Sequence, residues 1–292
     1  RRRFLVAALL PLCAAALRMA TDDDGDTLAA VNEHIRCQGP GAAASAPAVP
    51  GAAGGQWLAL ESNPEVFGEF ARRVGLPDGW EFADVYGFDE ELLQMVPQPV
   101  AALVLLFPCT ERIYAARRTQ DDALRAGQGR AAEDLFFLRQ VPNFGNACGT
   151  IACLHALSNS RHLLHMADDA PLESFVRSHE GEAPEERGRA LLTADSLKAP
   201  SDAAAADARA QTAVPDRDGP PLDHHFVAFV QTPGGRLVEL DGTKRCPVDH
   251  GPTSPATFLG DAVAAVKGSF VAADPDVHGF ALMALVRAAR GA

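Results

Sequence analysis

His225-Phe226-Val227-Ala228-Phe229-Val230-Gln231-Thr232-Pro233-Gly234-Gly235-Arg236-Leu237-Val238-Glu239-Leu240-Asp241 joins two apolar runs through a Pro-Gly-Gly turn signal. The pattern predicts a β-hairpin with strands over 226–230 and 236–240. With Pro233-Gly234 as turn centre, position 225 falls opposite 241 or 242. His225 and Asp241 then become cross-strand neighbours with Cβ atoms about 5 Å apart. Alternation sends His224 to the other face. Working outward, Val100-Ala101-Ala102-Leu103-Val104-Leu105-Leu106-Phe107 is a continuous apolar run between Pro99 and Pro108 and predicts a strand buried on both faces. Asn63-Pro64-Glu65 opens a helix, with Asn63 as cap, Pro64 in the first turn, Glu65 at the positive end and Val66, Phe67, Phe70 and Val74 as the apolar stripe. Gly75 ends it. Buried strands mixed with helices give an α+β or α/β core rather than a bundle or a sandwich.

The chain has 292 residues, 47% of them hydrophobic, enough for one substantial core. Its formal net charge of −12 argues against nucleic acid or an anionic membrane surface as partner, because both would repel it. The six cysteines (Cys13, Cys37, Cys109, Cys148, Cys153, Cys246) form no C-x-x-C pair, which predicts reduced thiols, a reducing, cytoplasmic compartment and no disulfide framework. Residues 1–20 place three arginines before an apolar run and are read either as a targeting segment or as an upstream artefact, with translation starting at Met19. Residues 21–55 are read as a disordered linker, rich in Ala, Gly and Pro from 38 onward, and residues 56–292 as the globular domain. From about 194 to 222 regularity gives way to Ala, Asp, Ser and Pro, which predicts a long loop.

Asn146-Ala147-Cys148-Gly149-Thr150 precedes the apolar helical run Ile151, Ala152, Leu154, Ala156 and Leu157. With Asn146 as cap, Cys148 falls in the first turn. There the free N–H groups and the positive dipole end favour thiolate in a group whose ordinary pKa is about 8.5. A histidine held by a carboxylate can take a thiol proton and remain stable as imidazolium. Cys153 is read as a small core residue. His155, His162 and His165 lack matching carboxylates or thiolates, so no metal is expected. Cys109, Cys246 and His250 receive no chemical role.

The blocks Asn146-Ala147-Cys148-Gly149-Thr150 with Leu154-His155-Ala156, and His225-Phe226-Val227-Ala228 leading to Glu239-Leu240-Asp241-Gly242, closely resemble the active-site blocks of the ubiquitin C-terminal hydrolases. Trp57-Leu58-Ala59-Leu60-Glu61-Ser62-Asn63-Pro64-Glu65-Val66, Asp84-Val85-Tyr86-Gly87 through Leu106-Phe107-Pro108, and Asp274-Pro275-Asp276 with Gly279-Phe280 continue the resemblance in the family's order. It is closest to the small single-domain members. The resemblance implies an α+β, α/β/α-layered papain-like fold with a central sheet flanked by helices and threaded as a knot.

Matched residue by residue, it implies Cys148 as nucleophile, His225 as base, Asp241 as its orienting acid and Gln140 as an oxyanion donor. Gln140 stands eight residues before Cys148, where the family's pattern has six, so the loop must bulge; Asn143 and Asn146 are alternative donors. The segment Ala59-Leu60-Glu61-Ser62-Asn63-Pro64 is implied to touch ubiquitin, and acidic positions such as Glu61 suit a basic ubiquitin tail. The 194–222 stretch becomes a crossover loop that admits only small leaving groups. The implied activity is thiol-dependent hydrolysis at the C-terminal glycine of ubiquitin through an acyl-enzyme, by a monomer without cofactor. Two alternatives stand beside it: a catalytically impaired ubiquitin-binding protein, and a hydrolase of another ubiquitin-like modifier.

Overall fold

The computed structural model describes residues 56–127, 135–142, 144–210 and 222–288. The expectations for residues 1–55, and for Asn143, lie outside them. In chain order the elements are α1 (Pro64–Val74), β1 (Trp80–Asp84), α2 (Glu90–Leu93), β2 (Val100–Pro108), α3 (Glu111–Arg125), α4 (Cys148–Asn159), α5 (Arg161–Leu164), α6 (Pro171–His179), α7 (Pro184–Leu192), α8 (Asp195–Ala205), β3 (His224–Gln231), β4 (Arg236–Leu240), β5 (Val248–Pro252), α9 (Phe258–Val266) with a π-helical turn (Lys267–Val271), and β6 (Ala281–Arg287). The strands form one six-stranded sheet in the order β1-β6-β2-β3-β4-β5, with every pairing antiparallel. This is the expected α+β framework.

Strand β2 lies at the centre because it is apolar on both sides. Ala102 and Val104 join one core with α1, α4 and α6, while Leu103, Leu105 and Phe107 join a second with α9 and Phe270. The same alternation runs through β3, where Phe226, Ala228 and Val230 face the first core and Val227 and Phe229 the second. Helix α1 begins as the sequence predicts: the Asn63 side chain accepts the Glu65 N–H, Pro64 occupies the first turn, and Gly75 closes the helix at a φ of 123°. Helix α4 is buried on all sides from Gly149 to Asn159, so its sequence carries no polar face. A Cβ at Gly149 would lie 3.2 Å from the Phe226 ring, so glycine lets α4 settle tightly on β3.

The hairpin forms, with a shifted register. Ala228 pairs with Leu240 and Val230 with Val238, which centres the turn on Gly234, and Gly235 takes the left-handed φ of 72° that a four-residue loop needs. Continued outward, that register sets His225 opposite position 243 and leaves Asp241 on the diagonal rather than directly across.

The expected irregular stretch from 194 is overturned in its first half, since Asp195–Ala205 is helical in spite of an internal Pro200. Tertiary docking outweighs its weak propensity. Leu197, Ser201, Ala204 and Ala205 are buried, and the Ser201 and Thr150 hydroxyls hydrogen-bond at 2.6 Å, fastening α8 to α4 two residues after Cys148. Residues 211–221, the rest of the expected crossover loop, lie outside the described residues. No helix among the described residues is long and apolar enough to cross a membrane.

Phe67 is fully buried between the Phe82 and Phe226 rings, with centroids at 5.6 and 5.4 Å. Phe67→Ala is expected to lower unfolding stability by about 3–5 kcal/mol. Met95→Ala, at a side chain 65% exposed, is expected to change it by less than about 0.5 kcal/mol. Urea denaturation of both variants checks the pair.

Candidate active site

Cys148 opens α4, but Asn146 does not cap it. The N-cap is Ala147, whose carbonyl accepts from Ile151 N at 2.9 Å, and no side chain caps the helix. A side-chain cap would compete for the first-turn N–H groups. Left free, the Gly149 N–H donates to the Cys148 sulfur, as does the Phe226 N–H from the start of β3. His225 hydrogen-bonds the same sulfur, while its Nε2 meets Asp241 Oδ1 at 2.9 Å. His224, the rival, instead bonds its neighbour Asp223 at 2.7 Å.

Burial is the largest influence on all three groups, and in each it opposes the charge. Asp241's charge and hydrogen bond, followed by Cys148, overcome it at His225 and raise the imidazole to about 10. The His225 hydrogen bond and charge, with the two backbone donors, overcome it at Cys148 and lower the thiol. His225 and Arg117 overcome it at Asp241 and hold the carboxyl well below the carboxylate range. Both shifts favour the thiolate–imidazolium form of the pair.

Asp241 leaves β4 into a turn of its own. Its Oδ1 also accepts the Thr243 N–H at 2.9 Å and the Thr243 hydroxyl at 2.8 Å, and its Oδ2 accepts from Arg117. Arg117 and Glu239 were not singled out by the sequence reading. The available signal was Glu239 itself, a carboxylate set between the apolar residues Val238 and Leu240. It is fully buried, 3.0 Å from Arg117, 3.5 Å from Lys244 and 2.9 Å from His250, which gives His250 the role it lacked. Lys244 and Arg117 beside it hold Glu239 far below the usual range against burial.

The longer loop before Cys148 is fastened at both ends. Trp57 N donates to Phe144 O at 2.9 Å and Asn146 N to Trp57 O at 3.3 Å around a parallel bridge between Trp57 and Gly145. Gln140 N donates to Gly242 O at 2.8 Å, which sets Gln140 beside the turn that holds Asp241. Its Oε1 is buried without a hydrogen-bond partner among the described residues.

Of the segment expected to touch a partner, Leu60 is buried near Gly149. Glu61, Ser62, Asn63 and Pro64 line an open groove of about 600 Å³ together with Asp84, Tyr86, Met95 and Arg209. His155 is a neutral core residue: burial, only partly offset by Asp241, lowers it to about 4, its Nε2 accepts the Leu138 N–H at 2.9 Å, and its ring stacks on Phe137. Burial alone pushes the Cys153 thiol up. Among the described residues no group of three or more His, Cys, Asp and Glu side chains could hold a metal ion. The four described cysteines are free thiols.

A thiol at a helix N-terminus, an imidazole beside it and a buried carboxylate behind that are the parts a cysteine hydrolase needs, here at the rim of a central sheet between two helical layers. The family model of ubiquitin carboxyl-terminal hydrolase, family 1, matches residues 57–272. The chain belongs to this family of cysteine peptidases. It is 37% identical over 232 residues to a ubiquitin carboxyl-terminal hydrolase of Drosophila melanogaster, covering 80% of this chain and 98% of that protein. It is 39% identical over 222 residues to one of Aplysia californica, covering 76% and 98%. Against human ubiquitin carboxyl-terminal hydrolase isozyme L1 it is 34% identical over 230 residues, covering 79% and 98%. Among solved structures it resembles the Trichinella spiralis UCH37 catalytic domain bound to ubiquitin vinyl methyl ester, with a TM-score of 0.61 and 20% identity over 80% of this chain and 97% of that one; the likeness lies in the fold.

The sign of each shift gives a pH dependence. Stability from His225 is complete below the ordinary imidazole range and is lost as pH rises through about 10, whereas stability from Cys148 is present above the ordinary thiol value and is lost as pH falls through its lowered one. Alkylation of Cys148 by iodoacetamide is therefore expected to persist below the ordinary thiol pKa of about 8.5. In His225→Asn burial loses its main opponent, and the same titration moves to the alkaline side. Coincident curves for the two proteins would sink the ion pair.

Proposed function

We propose that this chain hydrolyses amide, ester or thioester bonds at the C-terminal glycine of ubiquitin, with Cys148 as nucleophile, His225 as acid and base, Asp241 as the group that orients His225, and Gln140 as an oxyanion donor. The observation that carries the reading is the continuous hydrogen-bonded line from the Cys148 sulfur through His225 to Asp241. The thiolate attacks the glycine carbonyl. Negative charge develops on its oxygen beside the α4 N-terminus, where first-turn N–H groups lack a side-chain cap. Imidazolium then gives its proton to the leaving group, an acyl-enzyme forms, and neutral His225 activates the water that releases it.

Ubiquitin as partner is supported by family membership and by the named relatives. Within the 59–64 segment, Glu61 to Pro64 supply contacts along the groove, where Glu61, Asp84 and the net negative charge favour a basic tail. Peptides, amines and thiols are the leaving groups this reading expects. Free thiols suit a reducing, cytoplasmic setting, and a single chain suffices, since the line of three groups lies within it.

Release of a fluorescent amide from the ubiquitin C-terminus tests the function. Cys148→Ala is expected to abolish turnover while retaining ubiquitin binding, and Gln140→Ala to lower kcat on the order of 100-fold. Binding without turnover in the unaltered chain would favour a ubiquitin-binding protein instead, and faster release from another modifier would change the substrate.

A further inference from the structure

Arg117 projects from α3 into the second core, where it is 6% exposed, and its guanidinium lies 5.0 Å from the Phe107 ring centroid and 4.7 Å from that of Phe270. Phe270 belongs to the π-helical turn at 267–271, and Phe107 is the β2 residue that pairs with His225. The two rings, whose centroids are 4.9 Å apart, pack together against one side of the guanidinium, and Nη1 has no hydrogen-bond partner among the described residues. Nη2 reaches two carboxylates, Asp241 and, at 3.0 Å, Glu239. Glu239 is braced in turn by Lys244 and His250, and Lys244 also donates to Gln120 on α3.

The reaction itself leaves this arrangement unexplained. Orienting His225 requires Asp241, and Thr243 already fixes one Asp241 oxygen. A buried Arg with a second buried carboxylate is costly to desolvate, and an apolar cluster of the same volume would often be as stable. The count of charges suggests what the arrangement does. Asp241 and Glu239 are balanced by Arg117 and Lys244, so the carboxylate behind His225 belongs to a neutral set rather than standing as a lone buried anion. A lone anion would hold the proton on His225 too firmly for the imidazole to work as a base.

We propose that Arg117, braced by Glu239, is a positioning residue that fixes the Asp241 carboxylate against His225 and tempers its charge, thereby setting the pH window in which the Cys148–His225 pair is active. The proposal rests on the assignment of Cys148, His225 and Asp241 above. Other groups facing this set are accounted for. Tyr114 and Cys109 lie beside it and are raised, mainly by burial, with Cys109 at about 12; His155 behind Asp241 is lowered to about 4. Arg139, also within reach of Asp241's charge, is paired with Glu185 at 2.9 Å. His250 touches the set through Glu239, at 2.9 Å.

The test compares Arg117→Gln, Arg117→Lys, Glu239→Gln and the Arg117→Gln/Glu239→Gln pair by two readouts: the pH profile of kcat with the fluorescent ubiquitin amide, and the pH profile of Cys148 alkylation followed by peptide mass. Both are repeated in a His250→Gln background. Losing the cation makes the site more negative, so Arg117→Gln is expected to move both limbs to higher pH by about one unit. It should also lower kcat on the order of 10- to 100-fold with KM nearly unchanged, since Arg117 lies outside the groove. Glu239→Gln is expected to move the limbs the opposite way, the paired variant to return them towards their original positions, and Arg117→Lys to keep the limbs while kcat stays low. Limbs unmoved in folded Arg117→Gln, or shifts of the same sign in Arg117→Gln and Glu239→Gln, would overturn the proposal. Should Arg117→Gln not fold, the sign for Glu239→Gln and the Lys profile decide it. Failure of the unaltered chain to cleave the ubiquitin amide would count against the proposed function, while the alkylation limbs would still report on Arg117.

Discussion

Asp241 is 1% exposed and ionised, and a carboxylate taken out of water must find its compensation inside the protein. It does so with His225 and the Thr243 amide and hydroxyl on one oxygen and Arg117 on the other. Each donor comes from a different part of the fold: β3, the turn after β4, and α3. Satisfying one anion thus fixes how the hairpin, its turn and a helix on the far side of the sheet stand relative to one another.

Around that point the two cores take different parts. The first core seats α4 so deeply that nearly every residue after Cys148 is buried, which leaves the thiol little freedom to move away from β3. The second core holds Arg117 against two aromatic rings and brings Glu239 to it. Cys148 therefore comes from one layer and the support for its partner from the other, and they meet at the end of β3, where the sheet no longer separates them. Helix α8 adds a third constraint by docking on α4 through Thr150 and on the Trp57 segment through Leu58 N and Asp202, 3.3 Å apart.

Local chemistry was legible wherever a residue's role follows from its neighbours in the chain. The Asn63 cap, the two-sided burial of β2, the hairpin and the placing of Cys148 in a first helical turn depend on short-range geometry and on periodicity. The diagonal placing of Asp241 was not legible, because Gly235 lengthens the turn by an amount that the Pro-Gly-Gly signal leaves open. Helix α8 was missed for a related reason. Its Ala, Asp, Ser and Pro composition has weak preference of its own, and docking against α4 supplies the stability.

By itself the sequence determined the α+β framework, the thiol, imidazole and carboxylate, and, through five ordered blocks, the family. These are carried by residue type and spacing within single elements. Tertiary structure alone decided that the first turn of α4 keeps its N–H groups free for the Cys148 sulfur, and that Gln140 is fastened to the Asp241 turn. It also decided that Arg117, Glu239, Lys244 and His250 gather behind the site. Arg117 lies far from the other three in the chain, and pairing charges in a low-dielectric interior depends on distances that exist only once the sheet has brought α3, β4 and β5 together.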